Sequence, residues 1–256
     1  MKIIISKDAK ALGSNAADFV AAEINKAIAE KGNARIVLST GASQLTTIEE
    51  LITRDVDWSK VEMFHLDEYV DLPETHIASF RKYLKERFIS KINLKAAHLV
   101  DGTPEGIAAL TAELRSAPID IGLIGIGENA HIAFNDPPAD FDTKEAYIVV
   151  TLNDTCKNQQ VGEGWFATIN DVPKQAVSMT VYQILQCKQI VSIVPYGVKA
   201  DAVAGCLHNE VTNLIPATIM KGHDDFNLFV DEDSYAKVDE AKIVKVNGKD
   251  YTIERK

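Results

Sequence analysis

Cysteine is scarce in this chain of 256 residues: Cys156, Cys187 and Cys206 are an odd set with no CxxC spacing. A disulfide framework is therefore excluded as the source of stability, and reduced thiols in a cytoplasmic protein are the expectation. Long apolar runs are missing as well. None approaches the ~20 residues of a membrane span, and the first ten residues hold one short apolar run followed by charge, unlike a signal peptide. Positive charge is in deficit, with 27 Lys and Arg against 37 Asp and Glu for a formal net charge of −10. With no basic stripe and interleaved aromatics, nucleic acid is excluded as a partner, and so is a membrane. Repeats, low-complexity tracts and long linkers are absent too. An anionic ligand would have to be held by a local device against the overall field.

What is present is an ordinary globular composition, 46% apolar and 25% charged, in a chain long enough to bury roughly three quarters of its unfolded surface. Such a chain needs no structural metal. Apolar β-rich runs alternate with amphipathic stretches, the pattern of parallel strands with crossover helices. Strands are expected at Lys2–Ile5, Arg35–Leu38, Val61–Leu66, His98–Val100, Asp120–Ile126, Tyr147–Thr151, Gln189–Val194 and Asn227–Val230. Helices are expected near Ser14–Glu30, Leu45–Thr53, Ile77–Phe88, Glu105–Leu114, Val181–Leu185 and Lys199–Cys206. Consecutive apolar residues such as Ile36-Val37-Leu38 suit a sheet covered on both faces. The fold class is α/β: a single doubly wound, mostly parallel sheet with helices on both faces, in one domain over residues 1–236. Two segments depart from the alternation. Asn129 to about Val161 has little helical period and reads as an irregular functional loop or lid; the lid proper is placed at roughly Tyr147 to Pro173. At residues 237–256, two short apolar runs flank Asn247-Gly248, the signal of a C-terminal β-hairpin appendage.

In open parallel sheets, ligands collect at the carboxyl ends of the strands. After Arg35–Leu38 come Ser39, Thr40, Gly41, Ala42 and Ser43, small residues leading into a helix whose free amides and hydroxyls suit a phosphate. After Val61–Leu66 come Asp67 and Glu68, where desolvation can raise a carboxyl toward the range of a working base. After Asp120–Ile126 comes a run from Gly127 to Pro137 containing Asn129, His131 and Asp136. His131 is a near-neutral titrating group with a carboxylate five residues on to orient it. Residues 125–130 also satisfy the GxGxxA form of a dinucleotide fingerprint. That fingerprint must open a helix in a first βαβ unit, whereas this one sits mid-chain and runs into Asn-Asp-Pro-Pro. After Gln189–Val194 comes Lys199, placed where an ammonium can reach an anion at a helix start.

These residues carry a resemblance. Phe64 to Val70 with Leu72-Pro73 resembles the segment supplying the enolising base of glucosamine-6-phosphate deaminases, and Gly125 to Pro137 resembles the motif around their histidine. Thr40–Ser43 fall at their phosphate loop and Lys199 at their phosphate-contacting lysine. The resemblance runs from about Ile3 to Val230. It implies a deaminating aldose–ketose isomerase acting on a small-molecule phosphorylated amino sugar, glucosamine 6-phosphate, to give fructose 6-phosphate and ammonia. Asp67 would be the base, with Asn129, His131 and Asp136 opening the ring; Thr40, Gly41, Ala42, Ser43 and Lys199 would bind the phosphate. The substrate's own carbonyl is the electron sink, so no metal or organic cofactor is expected.

The chain departs from the family pattern in three places. Asn129 stands where many members have Asp, Ala130 replaces a Gly, and Asp136 replaces Glu. The last is one methylene shorter, so a shifted backbone or a water is expected to bridge it to His131. Pro138 to Val149 also lacks the basic residues with which hexameric members bind an allosteric activator, and no such activation is expected. A homo-oligomer stays open, as does the epimer at C4 of the sugar. The alternatives are a galactosamine-6-phosphate deaminase or other sugar-phosphate isomerase, a 6-phosphogluconolactonase and a non-catalytic sugar-phosphate sensor. The lactonase motif differs after its histidine, and a sensor would not need both Asp67 and His131.

Overall fold

The structure, a computed structural model, describes all residues from Met1 to Lys256. In chain order the first half contains β1 (Lys2–Ser6), α1 (Ala9–Lys31), β2 (Ala34–Leu38), α2 (Leu45–Leu51), β3 (Val61–His65), β4 (Asp67–Tyr69), α3 (Phe80–Arg87), β5 (Ala96–His98), α4 (Pro104–Arg115) and β6 (Ile121–Leu123). The second half contains β7 (Tyr147–Thr151), α5 (Asp154–Gly162), β8 (Gln175–Met179), α6 (Val181–Ile184), β9 (Gln189–Val194), α7 (Ala200–His208), β10 (Phe226–Asp231), α8 (Glu232–Tyr235) and β11 (Thr252–Arg255). Eight strands form one sheet in the order β11-β1-β10-β9-β6-β2-β3-β5. All of its ladders are parallel. A second sheet, β4-β8-β7, is antiparallel.

The doubly wound architecture follows from how the strands divide their side chains. Every residue of β2, β9 and β10 is buried. Alternate residues serve opposite faces, as the pleat requires. Ile36, Leu38, Ile193 and Phe229 pack under Leu12, Ala16, Val20 and Ile24 of α1. Val37, Val194, Leu228 and Val230 join Val203 and Leu207 of α7 on the other side. Helix α1 starts where the Asp8 carboxylate accepts from the Ala11 amide (2.7 Å) and stops at Gly32, whose φ of 85° places it in the left-handed region.

Three local expectations need correction. Tyr147–Thr151 is a strand with the expected bounds, but it belongs to the small sheet, where Gln175–Met179 pairs with it. Asp154–Gly162, inside the segment expected to be irregular, is a helix capped by Asn153, which accepts from the Cys156 amide (2.8 Å). Only Cys156 and Gln160 of that helix are buried, so it carries no apolar stripe to betray it.

The C-terminal β-hairpin does not form. Asn247 (φ 53°) and Gly248 (φ 70°) do make a turn, but Ile243–Val246 pairs with no strand. Instead the Val244 amide donates to the Leu207 carbonyl (2.9 Å), and Ile243 is buried in the main core. The chain then runs on, and Thr252–Arg255 pairs in parallel with β1 at the edge of the large sheet. Covering the open edge of β1 satisfies a row of backbone groups that an isolated hairpin would leave exposed.

Deleting Tyr251–Lys256 should therefore lower the melting temperature by several degrees, at roughly 2–4 °C per kcal/mol for a chain of this size. Thermal unfolding checks this, since loss of an independent appendage would leave the transition unmoved.

Candidate active site

The carboxyl ends of the parallel strands open into a cleft of about 860 Å³, its mouth included. Every strand-end segment singled out in the sequence contributes to it. From the end of β2, Thr40, Gly41, Ala42 and Ser43 line one side. Gly41 has φ 107°, a conformation other residues avoid, and this bends the chain into a 3₁₀ turn over Ala42–Gln44 that continues into α2. The buried Gln44 amide pins the loop by donating to the Ser43 hydroxyl (2.9 Å) and the Ile193 carbonyl (3.1 Å) of β9. Lys199 ends the 3₁₀ turn before α7 and reaches the same cleft. It is only 6% exposed. Burial lowers its pKa, while the nearby carboxylates of Glu163 and Glu128 oppose that shift.

The His131 loop is held from both ends. The Gly127 amide donates to the His131 carbonyl (2.9 Å), and a Cβ on Gly127 would lie 2.1 Å from the imidazole ring. Glycine is thus required for the ring to lie where it does. Ala130 has φ 63° and Ala133 φ 50°, so the position occupied by Ala instead of Gly does use the left-handed region, at a cost of about 1–2 kcal/mol. At the far end the buried Asn135 amide donates to the carbonyls of Ile132 (2.8 Å) and Met179 (2.9 Å), tying the loop to β8.

The Asn129 side chain organises the ring. Its amide nitrogen donates to Asp136 Oδ1 (3.0 Å), which turns its oxygen toward the His131 amide (3.2 Å) and His131 Nδ1 (2.6 Å). Asp136 Oδ1 also lies 3.2 Å from Nδ1. Since both neighbours of Nδ1 are acceptors, Nδ1 carries the proton and Nε2 is left to exchange one with a ligand. Burial pushes the Asp136 pKa up, but its contacts with His131 and Asn129 outweigh this and hold it below the ordinary value. The shorter Asp136 therefore meets His131 directly, and no bridging water is needed. Asn129 makes the closer contact of the two.

Asp67 and Glu68 are both buried, yet their surroundings differ. Neighbours on a strand face opposite ways. Glu68 turns to the N-terminus of α3, where its oxygens accept from the Ser79 hydroxyl (2.9 Å), the amides of Phe80 (3.2 Å) and Arg81 (2.8 Å), and Arg81 Nε (3.2 Å). Asp67 lines the cleft at 6% exposure. Its carboxyl is pushed up to about 8, by burial first and by the neighbouring charge of Glu68 second.

Helix α5 and the turn after it supply residues not singled out from the sequence. Gln159, Gln160, Glu163 and Trp165 line the cleft beside Glu128. Gln160 accepts from the buried Tyr69 hydroxyl (2.7 Å), Gln159 accepts from the Glu128 amide (3.3 Å), and Glu163 accepts from Gln159 (2.8 Å) and the Trp165 indole (3.0 Å). The lid segment is thus bonded to both the Asp67 strand and the His131 loop. The one signal for it was the cap pair Asn153-Asp154. No helix of the molecule is long and apolar enough to cross a membrane.

Comparison with known proteins shows the family. A family model described as glucosamine-6-phosphate isomerases/6-phosphogluconolactonase matches residues 7–228. A glucosamine-6-phosphate deaminase of Staphylococcus epidermidis is 34% identical over 243 residues, covering 90% of this chain and 97% of its own. One from Streptococcus gordonii is 33% identical, covering 93% and 100%. Among solved structures, a monomeric glucosamine-6-phosphate deaminase superposes with a TM-score of 0.85 at 27% identity, covering 93% of this chain and all of its own. A 6-phosphogluconolactonase from Trypanosoma brucei reaches 0.77 at 16% identity, a likeness of fold.

A carboxyl raised on folding favours the protonated native state, so its contribution to stability is complete below the unfolded pKa near 4 and is lost as pH rises to about 8. Asp67→Asn removes that loss. The variant should match the parent near pH 4 and melt higher than it at pH 8, at roughly 2–4 °C for each kcal/mol of stability regained. Paired thermal melts across this range check the sign.

Proposed function

The chain belongs to the glucosamine-6-phosphate isomerase/6-phosphogluconolactonase family, and on that footing we propose that it deaminates glucosamine 6-phosphate by acid–base catalysis. The observation that carries the reading is the meeting, in one cleft, of a buried carboxyl, a histidine with a free Nε2, a small-residue loop and a buried ammonium. A phosphate on the Thr40–Ser43 amides and Lys199 anchors one end of the sugar. Orientation of this kind places C2 and the ring oxygen against fixed groups.

His131 accepts the anomeric hydroxyl proton through Nε2 and returns one to the ring oxygen, opening the pyranose to the aldehyde. Asn129 and Asp136 hold the ring and stabilise the imidazolium formed on the way. Asp67 then removes the C2 proton, and the electron pair of that bond moves into the carbonyl to give an enolamine. Return of the proton to C1 leaves a 2-imine. Addition of water and loss of ammonia from that imine give fructose 6-phosphate. A carboxyl with a pKa of about 8 suits both halves of this transfer, because a base operates best when its proton affinity lies near the working pH. General acid–base groups of this kind supply about 10²–10⁴-fold each.

The family also contains lactonases, and the two chemistries separate on this site. Hydrolysis of a lactone needs no base poised over C2, whereas the buried position of Asp67 has its use there.

Purified protein without added metal should release ammonia from glucosamine 6-phosphate and form fructose 6-phosphate. Asp67→Asn should lose exchange of the C2 proton with solvent while retaining sugar-phosphate binding. Lys199→Ala should raise KM roughly 10- to 100-fold with a smaller change in kcat, the loss expected of a charged hydrogen bond. Galactosamine 6-phosphate and 6-phosphogluconolactone belong in the same assay. Turnover of only the lactone would overturn the assignment, and turnover of the galacto sugar would set the epimer.

A further inference from the structure

We propose that Gln160 is a substrate-contacting donor: its side-chain amide offers an N–H into the cleft beside the base and takes an oxygen on C1 or C3 of the sugar, the carbons flanking the one that Asp67 works on. The inference rests on the proposed placement of a sugar phosphate in this cleft.

The position follows from β4. Side chains two residues apart on a strand share a face, roughly 7 Å from one another along it, so the Tyr69 ring stands on the same side as Asp67. The pairing of Asp67 with Ser178 and of Tyr69 with Ala176 fixes that face. The ring is then clamped by three others: its centroid lies 5.1 Å from that of Phe80, 5.3 Å from Phe134 and 5.5 Å from Phe166. Phe80 and Phe134 themselves line the cleft. A ring held on three sides has its hydroxyl held too, and that hydroxyl makes one hydrogen bond, to Gln160 Oε1 (2.7 Å).

That bond decides which way the amide faces. The Tyr69 hydroxyl is buried and has no other acceptor, so its proton requires the carbonyl oxygen of Gln160 and not the NH2 group. The amide nitrogen is turned the other way. It has no partner within the chain and is not among the polar atoms sealed off from solvent, and Gln160 lines the cleft although only 6% of the residue is exposed. The neighbouring polar groups of the lid are already engaged. Gln159 donates to Glu163 Oε1 (2.8 Å) and accepts from the Glu128 amide (3.3 Å), and the Trp165 indole donates to Glu163 Oε2 (3.0 Å). Leu66, next to the base, and Phe80 and Phe134, which clamp Tyr69, bring only apolar side chains to this wall. The Gln160 amide is the donor that a sugar oxygen meets there. Because it is oriented before any ligand arrives, it can fix the rotation of the sugar over Asp67.

Calorimetric titration with two ligands separates this contact from mere support of the lid. Fructose 6-phosphate, the product of the proposed reaction, carries both the sugar oxygens and the phosphate. Inorganic phosphate carries only the group assigned to Thr40–Ser43 and Lys199. In Gln160→Met, similar in shape and without a donor, fructose 6-phosphate should bind roughly 3- to 10-fold more weakly while inorganic phosphate stays within about twofold, as for the loss of one hydrogen bond to the sugar. The kcat/KM for glucosamine 6-phosphate should fall by a similar factor. The double variant Tyr69→Phe/Gln160→Met, set against Tyr69→Phe, repeats the comparison with no orphaned hydroxyl in the core, and decides should Gln160→Met fail to fold. Equal weakening of both ligands, or no change in either, overturns the proposal and leaves Gln160 an anchor of α5. A parent that does not bind fructose 6-phosphate overturns it as well. Since binding needs no turnover, a parent that shows the expected pattern yet releases no ammonia would refute the proposed function and leave this contact standing.

Discussion

The burial of Glu68 against the first turn of α3 is the interaction from which the rest of the site is built. A carboxylate out of contact with water has to have its acceptor positions filled, and here the amides of Phe80 and Arg81, the Ser79 hydroxyl and the Arg81 guanidinium fill them. Meeting that demand docks α3 on a strand of only three residues, Asp67–Tyr69. Once fixed, β4 pairs with β8, and β8 receives the Asn135 side chain that ends the His131 loop. Base and histidine are thus referred to one another through a small antiparallel sheet, while the phosphate loop is pinned to β9 of the large one.

The site holds several features that a sequence selected for stability alone would avoid. Ala130 and Ala133 sit in left-handed conformations, as does Tyr196 (φ 78°) beside Lys199. Ser39 keeps a buried hydroxyl with no partner at the edge of the cleft, and Asp67 is a buried carboxyl without a counter-ion. Strain and unpaired polar groups of this kind persist where the surrounding structure over-determines them. The large sheet can bear it. Its central strands are buried throughout, and two apolar clusters of 35 and 25 residues clamp it from opposite faces.

The same sheet explains the tail. The turn signal at Asn247-Gly248 is genuine, and the turn forms. What competes with the local hairpin is the open edge of β1, whose backbone groups offer Thr252–Arg255 a parallel partner, and a core that takes in Ile243. Local turn chemistry selects the bend, while the edge selects the pairing.

The sequence by itself determined the alternation of strands and crossover helices, the two-sided burial of the central strands, and the strand ends at which Thr40–Ser43, Asp67, His131 and Lys199 appear. Each is a matter of periodicity or of what directly follows an apolar run, which is information local to the chain. Only the tertiary structure decided that Tyr147–Thr151 leaves the main sheet, that a polar stretch becomes α5 and brings Gln160 onto the Tyr69 hydroxyl, and that Asn129 approaches His131 more closely than Asp136 does. It also decided that Asp67 stands unpaired while Glu68, one residue later, is saturated with donors. Those facts depend on partners dozens of residues away and on the exclusion of water between them, and no local pattern of residues encodes either.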